Sequence, residues 1–450
     1  MKYIRLLSRV VLGIIFVFSG FVKAVDPLGS AYKFSDYFTA FRIGFLDVAA
    51  LPLGVGLSAF EMVVGMALIL GYRRQVVVHV VIWFMFFFTL LTLVLALFNP
   101  VSDCGCFGDA LILTNWQTFL KNLVLMLFVL VLFFGRKADQ DRGSRAGEWT
   151  VIALLFAGAC LFSVWNYRHL PLVDFRPYDM GTVIADEMVV PEGSPVDEYE
   201  TTLEYRNRTT GETETFTIED YPDDTILWEF VNSESRLVKR GDEPPIHDFA
   251  IMDGEGNDLV DQILADPGYS LLMICHDLSK ASESALVAAT EWSRLERLAG
   301  DFSFYPVTAS TTASVEAIAT SLDLGYSFFA GDEIMLKTIV RSNPGYMMIH
   351  NGAIVGKWGY RDFPSLEELD PSVAGLMVNV GTPRDEETAL LLEAGIYEEF
   401  SFDIIEFGQL VPGLVYERLS TGLESRVILG FVLAVVMLLL CSNLVSPVRS

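Results

Sequence analysis

Cys104-Gly105-Cys106 is the densest chemical signal in the 450-residue chain, set in Asn99-Pro-Val-Ser-Asp-Cys104-Gly-Cys106-Phe-Gly108-Asp. Two thiols two residues apart can close a very small ring, and the glycine between them removes the Cβ that would crowd it. A small strained ring is easier to reduce than a structural disulfide, so the spacing suits reversible thiol–disulfide exchange. A static loop clip, or two free thiols, are the ordinary alternatives, and the residues alone leave all three open. The remaining cysteines, 160, 275 and 441, lie far apart in sequence, and five in all do not make a disulfide scaffold. The five histidines show no metal-ligand spacing, so no metal site is expected.

Three ionisable residues in apolar runs could serve that chemistry. Glu61 falls near the middle of one run, Lys23 ends another, and Lys121 lies about one turn inside a third. A carboxylate at membrane depth is costly and is a functional candidate by default. Helix rise puts Glu61 roughly 15 Å below the outer surface. One reading is a polar cluster that relays a proton to or from the thiols, or holds a quinone head. The more ordinary reading is a Glu–Lys pair that fixes helix packing. Apart from that quinone, no cofactor is evident. His79 reads as a packing or interfacial residue.

The elements that must position these groups are membrane spans. Apolar runs cover 6–24, 50–70, 76–98, 116–134 and 149–166, with a shorter one near 427–442. A bilayer core takes about 20 helical residues. Lys2, Arg5 and Arg9 before the first run would also fit a signal peptide, but Val22-Lys23-Ala24 is a poor cleavage triplet, so the run reads as a retained span. The short-loop cations at 2, 5 and 9, at 73 and 74, and at 136, 137, 142 and 145 all fall on one side, which makes that side the cytoplasm. The segments 25–49, 99–115 and 167–425 then lie outside, on the oxidising side of the inner membrane in a Gram-negative cell.

Charge divides the chain in the same way. Residues 1–166 hold 13 Lys+Arg against 9 Asp+Glu, whereas 167–425 hold 16 against 48, and 52% of all residues are hydrophobic. With no basic face to neutralise phosphates, the chain is not expected to bind nucleic acid. The acidic outer segment suits basic surfaces or cations as partners.

Arg9-Val-Val-Leu-Gly13-Ile-Ile-Phe-Val-Phe-Ser19-Gly20-Phe-Val-Lys23, then Glu61, then Cys104-Gly-Cys106-Phe-Gly108 before Trp116, resembles the DoxX/DoxD superfamily, and most closely its MauE (methylamine utilisation) branch. The likeness covers about residues 1–135. It implies a membrane component of disulfide handling that works with a thioredoxin-like partner, without implying methylamine as a substrate.

In the outer segment, Glu198–Tyr205 and Glu214–Ile218 alternate around the turn Asn207–Gly211, which predicts a hairpin, with a further strand at 226–231. From Pro244 the chain resembles thioredoxin-like and peroxiredoxin-like proteins. Ile246–Gly254 looks like their opening hairpin, and Ser270–Cys275 like a buried strand. A helix over Ser282–Leu298, a strand over Phe302–Thr308, a hairpin led by Pro344 and a helix over 364–376 complete the order. Pro344 stands where that family has a cis-proline. The family's Cys-x-x-Cys is missing: Ser279 and Ser282 stand at its spacing in His276-Asp-Leu-Ser279-Lys-Ala-Ser282. Serine cannot exchange disulfides, so this module is expected to be redox-inactive. Cys275 reads as a buried core thiol.

The expected fold class is therefore a polytopic α-helical membrane domain, a four-helix bundle plus two further spans, with an extracytoplasmic α/β thioredoxin-like domain and a small β-rich linker. The expected segments are 1–135 (membrane domain), 136–170 (cytoplasmic loop and fifth span), 171–242 (linker), 243–377 (thioredoxin-like), 378–425 (helical extension, opened by the capped helix Pro383–Glu393) and 426–443 (last span). Two functions fit. In one, Cys104 and Cys106 exchange electrons, and the fused module presents envelope proteins or replaces a partner thioredoxin. In the other, the chain is a membrane-anchored scaffold whose dead thioredoxin module binds envelope proteins.

Overall fold

A computed structural model describes residues 2–136, 144–190, 194–195, 198–222, 224, 226–239, 241, 243–296 and 302–364. The expected last span, Cys441 and the helices over 364–376 and 378–425 lie outside the described residues.

Among the described residues, five helices are long and apolar enough to cross a membrane: α1 (Lys2–Val25), α3 (Ala50–Leu70, with a 3-10 turn from Gly44 leading in), α4 (Arg74–Phe98), α5 (Asn115–Gly135) and α6 (Arg145–Arg168). They match the expected runs, extended by a few residues at their ends. Helix α2 (Pro27–Ala40) was not foreseen, because the segment 25–49 reads as a loop. Its start signal is nevertheless present. Asp26 caps the helix by accepting from Gly29 N at 2.9 Å, and Pro27 occupies the first turn, where its missing N–H costs nothing. Helix α5 opens with a capping box between Thr114 and Gln117. Large apolar side chains cover the outer faces of α4 and α5, among them Trp83, Phe86, Leu90, Leu123 and Leu127, as helices facing lipid require.

The bundle closes most tightly between α1 and α3, where small residues let the backbones approach. A Cβ on Gly20 would lie 2.5 Å from Met62 N and 2.6 Å from Ser58 O. The obstructing atoms are backbone and cannot swing away. Gly20→Ala is expected to destabilise the protein by about 1–3 kcal/mol, as overpacked cores do, read as a lowered Tm of the detergent-solubilised chain. Gly56→Ala, on the same helix pair with open space around it, is expected to change stability by less than about 0.5 kcal/mol.

Downstream, β4 (Ile251–Met252), α8 (Val260–Ala265), β5 (Tyr269–Cys275), α9 (Glu283–Ala288), α10 (Thr290–Glu296), β6 (Phe302–Thr308), α11 (Thr312–Leu322), β7 (Phe329–Gly331), α12 (Glu333–Ile339), β8 (Gly345–His350) and β9 (Ala353–Gly359) build a six-stranded sheet in the order β4-β7-β6-β5-β8-β9. β5, β6 and β7 run parallel, and β8 and β9 return antiparallel on the other side of β5. A parallel β-α-β unit joined to an antiparallel hairpin on one sheet is the thioredoxin-like arrangement expected from the sequence. Every residue of β5 is buried, which is why its sequence, Tyr-Ser-Leu-Leu-Met-Ile-Cys, does not alternate. The single helix expected over 282–298 is instead two short ones, α9 and α10, meeting at Ala289. Peptide bond Asn343–Pro344 is cis.

Residues 170–181 run with this sheet. Asp174 bridges Lys357 Nζ at 2.6 Å and Arg176 Nε at 2.6 Å, all three side chains being nearly fully buried. Thr182–Phe249 forms a separate compact unit, with a short helix α7 (Ile184–Glu187) and an antiparallel sheet β2-β1-β3, where β1 is Glu198–Asn207, β2 Thr213–Thr217 and β3 Trp228–Lys239. The expected hairpin is present, and the third strand is longer than expected. Tyr205, Phe216 and Trp228 stack edge to face on it.

Candidate functional site

The cysteine loop is tied at its ends and pinned in its middle. Asn115 Nδ2, at the start of α5, donates to Asn99 Oδ1 at 2.7 Å and to Val101 O at 2.8 Å, which closes the loop base. Asp103 accepts from Gly105 N at 2.8 Å and from Lys33 Nζ of α2 at 2.5 Å. Tyr37 Oη, one helical turn past Lys33, donates to Cys104 O at 2.9 Å. Ser19 Oγ of α1 donates to Cys106 O at 2.7 Å. Gly105 has φ +65°, a left-handed conformation, and a Cβ there would sit 3.0 Å from Lys33 Cγ, so position and space both favour glycine. This geometry leaves the Cys104 and Cys106 sulfurs 3.0 Å apart, with Cys104 buried and Cys106 half-buried.

Glu61 is paired with Lys23, not with Lys121. Lys23 Nζ lies 2.6 Å from Glu61 Oε2 and donates to Ser19 Oγ at 2.9 Å, and Ser19 in turn bonds the Cys106 carbonyl. A hydrogen-bonded chain therefore runs from the buried carboxylate to the cysteine backbone. Lys121 lies apart from it, with its ammonium 4.2 Å from the centre of the Phe107 ring. Glu61, Lys23, Lys121, Cys104 and Cys106 all line one cavity.

The two thiols are not equivalent. The hydrogen bond from Cys104 lowers the Cys106 thiol to about 6; burial opposes the shift, Lys121 and then Lys23 reinforce it, and Glu61 works against it. Cys104 moves the other way, raised by that same hydrogen bond and by burial. Cys106 is thus the thiolate at neutral pH and Cys104 the thiol. The two charged neighbours should act with opposite signs. Glu61→Gln removes a group that raises Cys106, so its alkylation midpoint should fall. Lys121→Met removes a group that lowers it, so the midpoint should rise. Each unit of movement is worth ~1.4 kcal/mol and changes the thiolate fraction below the midpoint about tenfold. Iodoacetamide labelling of the full-length protein against pH, read by mass spectrometry at Cys106, measures both shifts.

In the thioredoxin-like module, Ser279 Oγ donates to Asp277 Oδ1 at 2.6 Å, and the hydroxyl of Ser282, just before α9, bonds that of Ser284 in its first turn. Asn343 Nδ2 donates to Asp277 O at 2.6 Å, so the Pro344 loop meets the turn carrying the two serines. Cys275 is fully buried, and burial pushes its thiol well up. His276 is pushed down to about 4, chiefly by burial and then by Lys337. The serine turn and the Pro344 loop therefore form one surface without a reactive thiol.

That surface adjoins a joint with the membrane helices which sequence reasoning missed. Arg341, two residues before Asn343, donates to Asp26 Oδ2 from Nε at 2.9 Å and to Asp109 Oδ2 from a terminal nitrogen at 2.8 Å. Asp109 is three residues past Cys106, and Asp26 caps α2. Burial raises both acids, but Arg341, joined by Arg176 and the Gly29 N–H, outweighs it at Asp26, which is held below the usual carboxylate range, whereas Asp109 stays above it. No sequence signal links residues more than 200 positions apart. The Asp26-Pro27 helix start was the one legible clue to α2, and through it to Lys33 and Tyr37.

Residues 1–135 match the family model of the methylamine utilisation protein MauE. The MauE match thus spans α1 to α5 and includes the whole cysteine loop. Residues 199–240 match a Domain of unknown function (DUF8463), which covers the three-stranded sheet. A search of the curated proteins finds no match. Among solved structures, the solution structure of a "putative protein disulfide isomerase" from Bacteroides thetaiotaomicron aligns over 34% of this chain and 89% of its own, at 14% identity and a TM-score of 0.21. That likeness is too slight to carry weight, and the thioredoxin-like assignment rests on the strand order.

Proposed function

We propose that this membrane protein carries out thiol–disulfide exchange at the envelope surface, with Cys104 and Cys106 as the cycling pair. The observation that carries the reading is the pair itself: two sulfurs 3.0 Å apart, one of them lowered to about 6, within the MauE-like part of the chain. In the oxidised state, a client thiolate attacks the Cys104 sulfur. The S–S bond breaks and Cys106 leaves with the electron pair, because the lower-pKa thiol is the better leaving group. A second client thiol then displaces Cys104. The client gains a disulfide, and the pair ends as two thiols.

The fused thioredoxin-like module takes the place of the separate partner that the MauE resemblance implies. Ser279 and Ser282 remove its own exchange chemistry, and Arg341 holds it against the cysteine loop. It would bind client or partner proteins rather than oxidise them. The Lys/Arg distribution supports a cytoplasmic N-terminus in the inner membrane, with the acidic domain in the periplasm. Reporter fusions after residues 110 and 240 should therefore read outside, and one after 74 inside. The serines also favour the second reading, a scaffold that binds envelope proteins without exchange.

The experiment exposes the oxidised full-length protein in nanodiscs briefly to glutathione, quenches with acid and maps adducts by mass spectrometry. Exchange predicts glutathione on Cys104 with Cys106 free. A disulfide that yields no adduct would leave the scaffold reading in its place.

A further inference from the structure

Exchange with clients leaves the pair reduced, so it needs an electron acceptor. We infer that the cavity beside Cys106 binds a membrane quinone and passes it the electrons of the pair; this inference rests on the exchange reading above. The cavity encloses about 270 Å³, close to the lower end of small-molecule pockets at about 300 Å³. Cys106, Lys121 and the Lys23–Glu61 pair line it together with a mostly apolar and aromatic wall that includes Phe84, Phe88, Leu91 and Leu125. Met85 and Leu125 lie near the middle of their helices, so the apolar part reaches well down the spans. Phe41 and Phe87, which also line it, are 42% and 59% exposed. Phe87 lies on the apolar outer face of α4, which puts the mouth where lipid would be. A ligand that enters from lipid, places an oxygen-bearing ring near cations and thiols, and leaves an apolar tail in an aromatic channel has the chemistry of a quinone.

The Cys104 S–H bond breaks, the Cys106 thiolate supplies the other sulfur, and one S–S bond forms between them. Two electrons and the Cys104 proton pass to the quinone, water supplies the second proton, which replaces the one Cys106 gave up on ionising, and the two carbonyl oxygens become hydroxyls. Lys121 and Lys23, which line the cavity with Cys106, would stabilise negative charge developing on a ring oxygen bound there.

The test uses full-length protein in nanodiscs, reduced with dithiothreitol, desalted and kept anaerobic. Decylubiquinone is the probe. The expected result is about one equivalent of quinol per protein, with loss of the alkylatable thiols at both Cys104 and Cys106. If glutathione disulfide oxidises the pair while decylubiquinone does not, the quinone site is overturned and the exchange reading stands; if neither oxidises it, both fall. Leu91→Trp fills the channel and should slow quinol formation at least tenfold, and a wild-type rate in that variant would overturn the site. Should Leu91→Trp not fold, photolabelling of the wild-type protein with an azidoquinone decides. Label within 34–41 or 84–91 supports the site, and label elsewhere overturns it.

Discussion

Cys106→Ser is expected to abolish thiol–disulfide exchange outright, while Cys104→Ala should leave Cys106 reactive but move its ionisation upward. The asymmetry follows from the site. Cys106 is lowered to about 6 first by the hydrogen bond from Cys104, and only then by Lys121 and Lys23. Serine at 106 removes the low-pKa thiolate of the pair and, in the oxidised direction, the leaving group. Alanine at 104 removes the hydrogen-bond donor that contributes most to stabilising the thiolate, so Cys106 should titrate closer to a free thiol, at about 8.5. In the unaltered protein, Cys106 should be half-ionised near pH 6, gain alkylation rate as pH rises through that value and then level off. Cys104 should react appreciably only in alkaline solution. Labelling with iodoacetamide across the pH range, with site-resolved mass spectrometry, separates the two profiles. Equal reactivity at 104 and 106 would remove the basis for assigning them different roles.

Arg341→Ala is expected to cost about 3–5 kcal/mol, the range found when one partner of a buried ion pair is deleted. Its side chain is only 10% exposed and serves two carboxylates at once. Without it, Asp26 and Asp109 face each other with no cation between them. Arg341→Lys should recover little, since one ammonium cannot reproduce the fork that reaches both acids. The loss should be local before it is global. Amide hydrogen exchange of the full-length protein should speed up in peptides covering 26–33 and 103–110, which meet at Arg341, while the Asp174–Lys357 region keeps its protection. Because Asp26 is held below the ordinary carboxylate range, its share of the joint is present at neutral pH and is lost as pH falls through its folded-state value. Unchanged exchange in both peptides would mean that the module is held by other contacts.

Much of the membrane domain was legible in the sequence because lipid leaves few choices: runs of about 20 apolar residues must be helices. The cysteine loop was legible because Cys-Gly-Cys has few structural uses. The module's fold was legible from the order of its elements and from Pro344, even with Ser279 and Ser282 in place of thiols. Helix α2 was missed because Lys33, Ser35, Asp36 and Thr39 give it little apolar periodicity; its stability comes from its cap and from packing against α3. The break at Ala289 was missed because α9 and α10 share one continuous helical pattern. The partner of Glu61 was beyond reach for a different reason. Lys23 and Lys121 both fall at a plausible depth, and only the packing of α1 against α3, set by Gly20 and Gly65, brings Lys23 to 2.6 Å. Arg341 carries no local pattern at all.

The most direct measurement is a redox titration of Cys104 and Cys106 in membranes, using dithiothreitol buffers and quantitative alkylation of the full-length chain. The pair is predicted to pass between two free thiols and none in a single two-electron step, and to do so reversibly. A pair that stays fully reduced under oxidant, or fully locked under dithiol, would contradict thiol–disulfide exchange as the function of this protein.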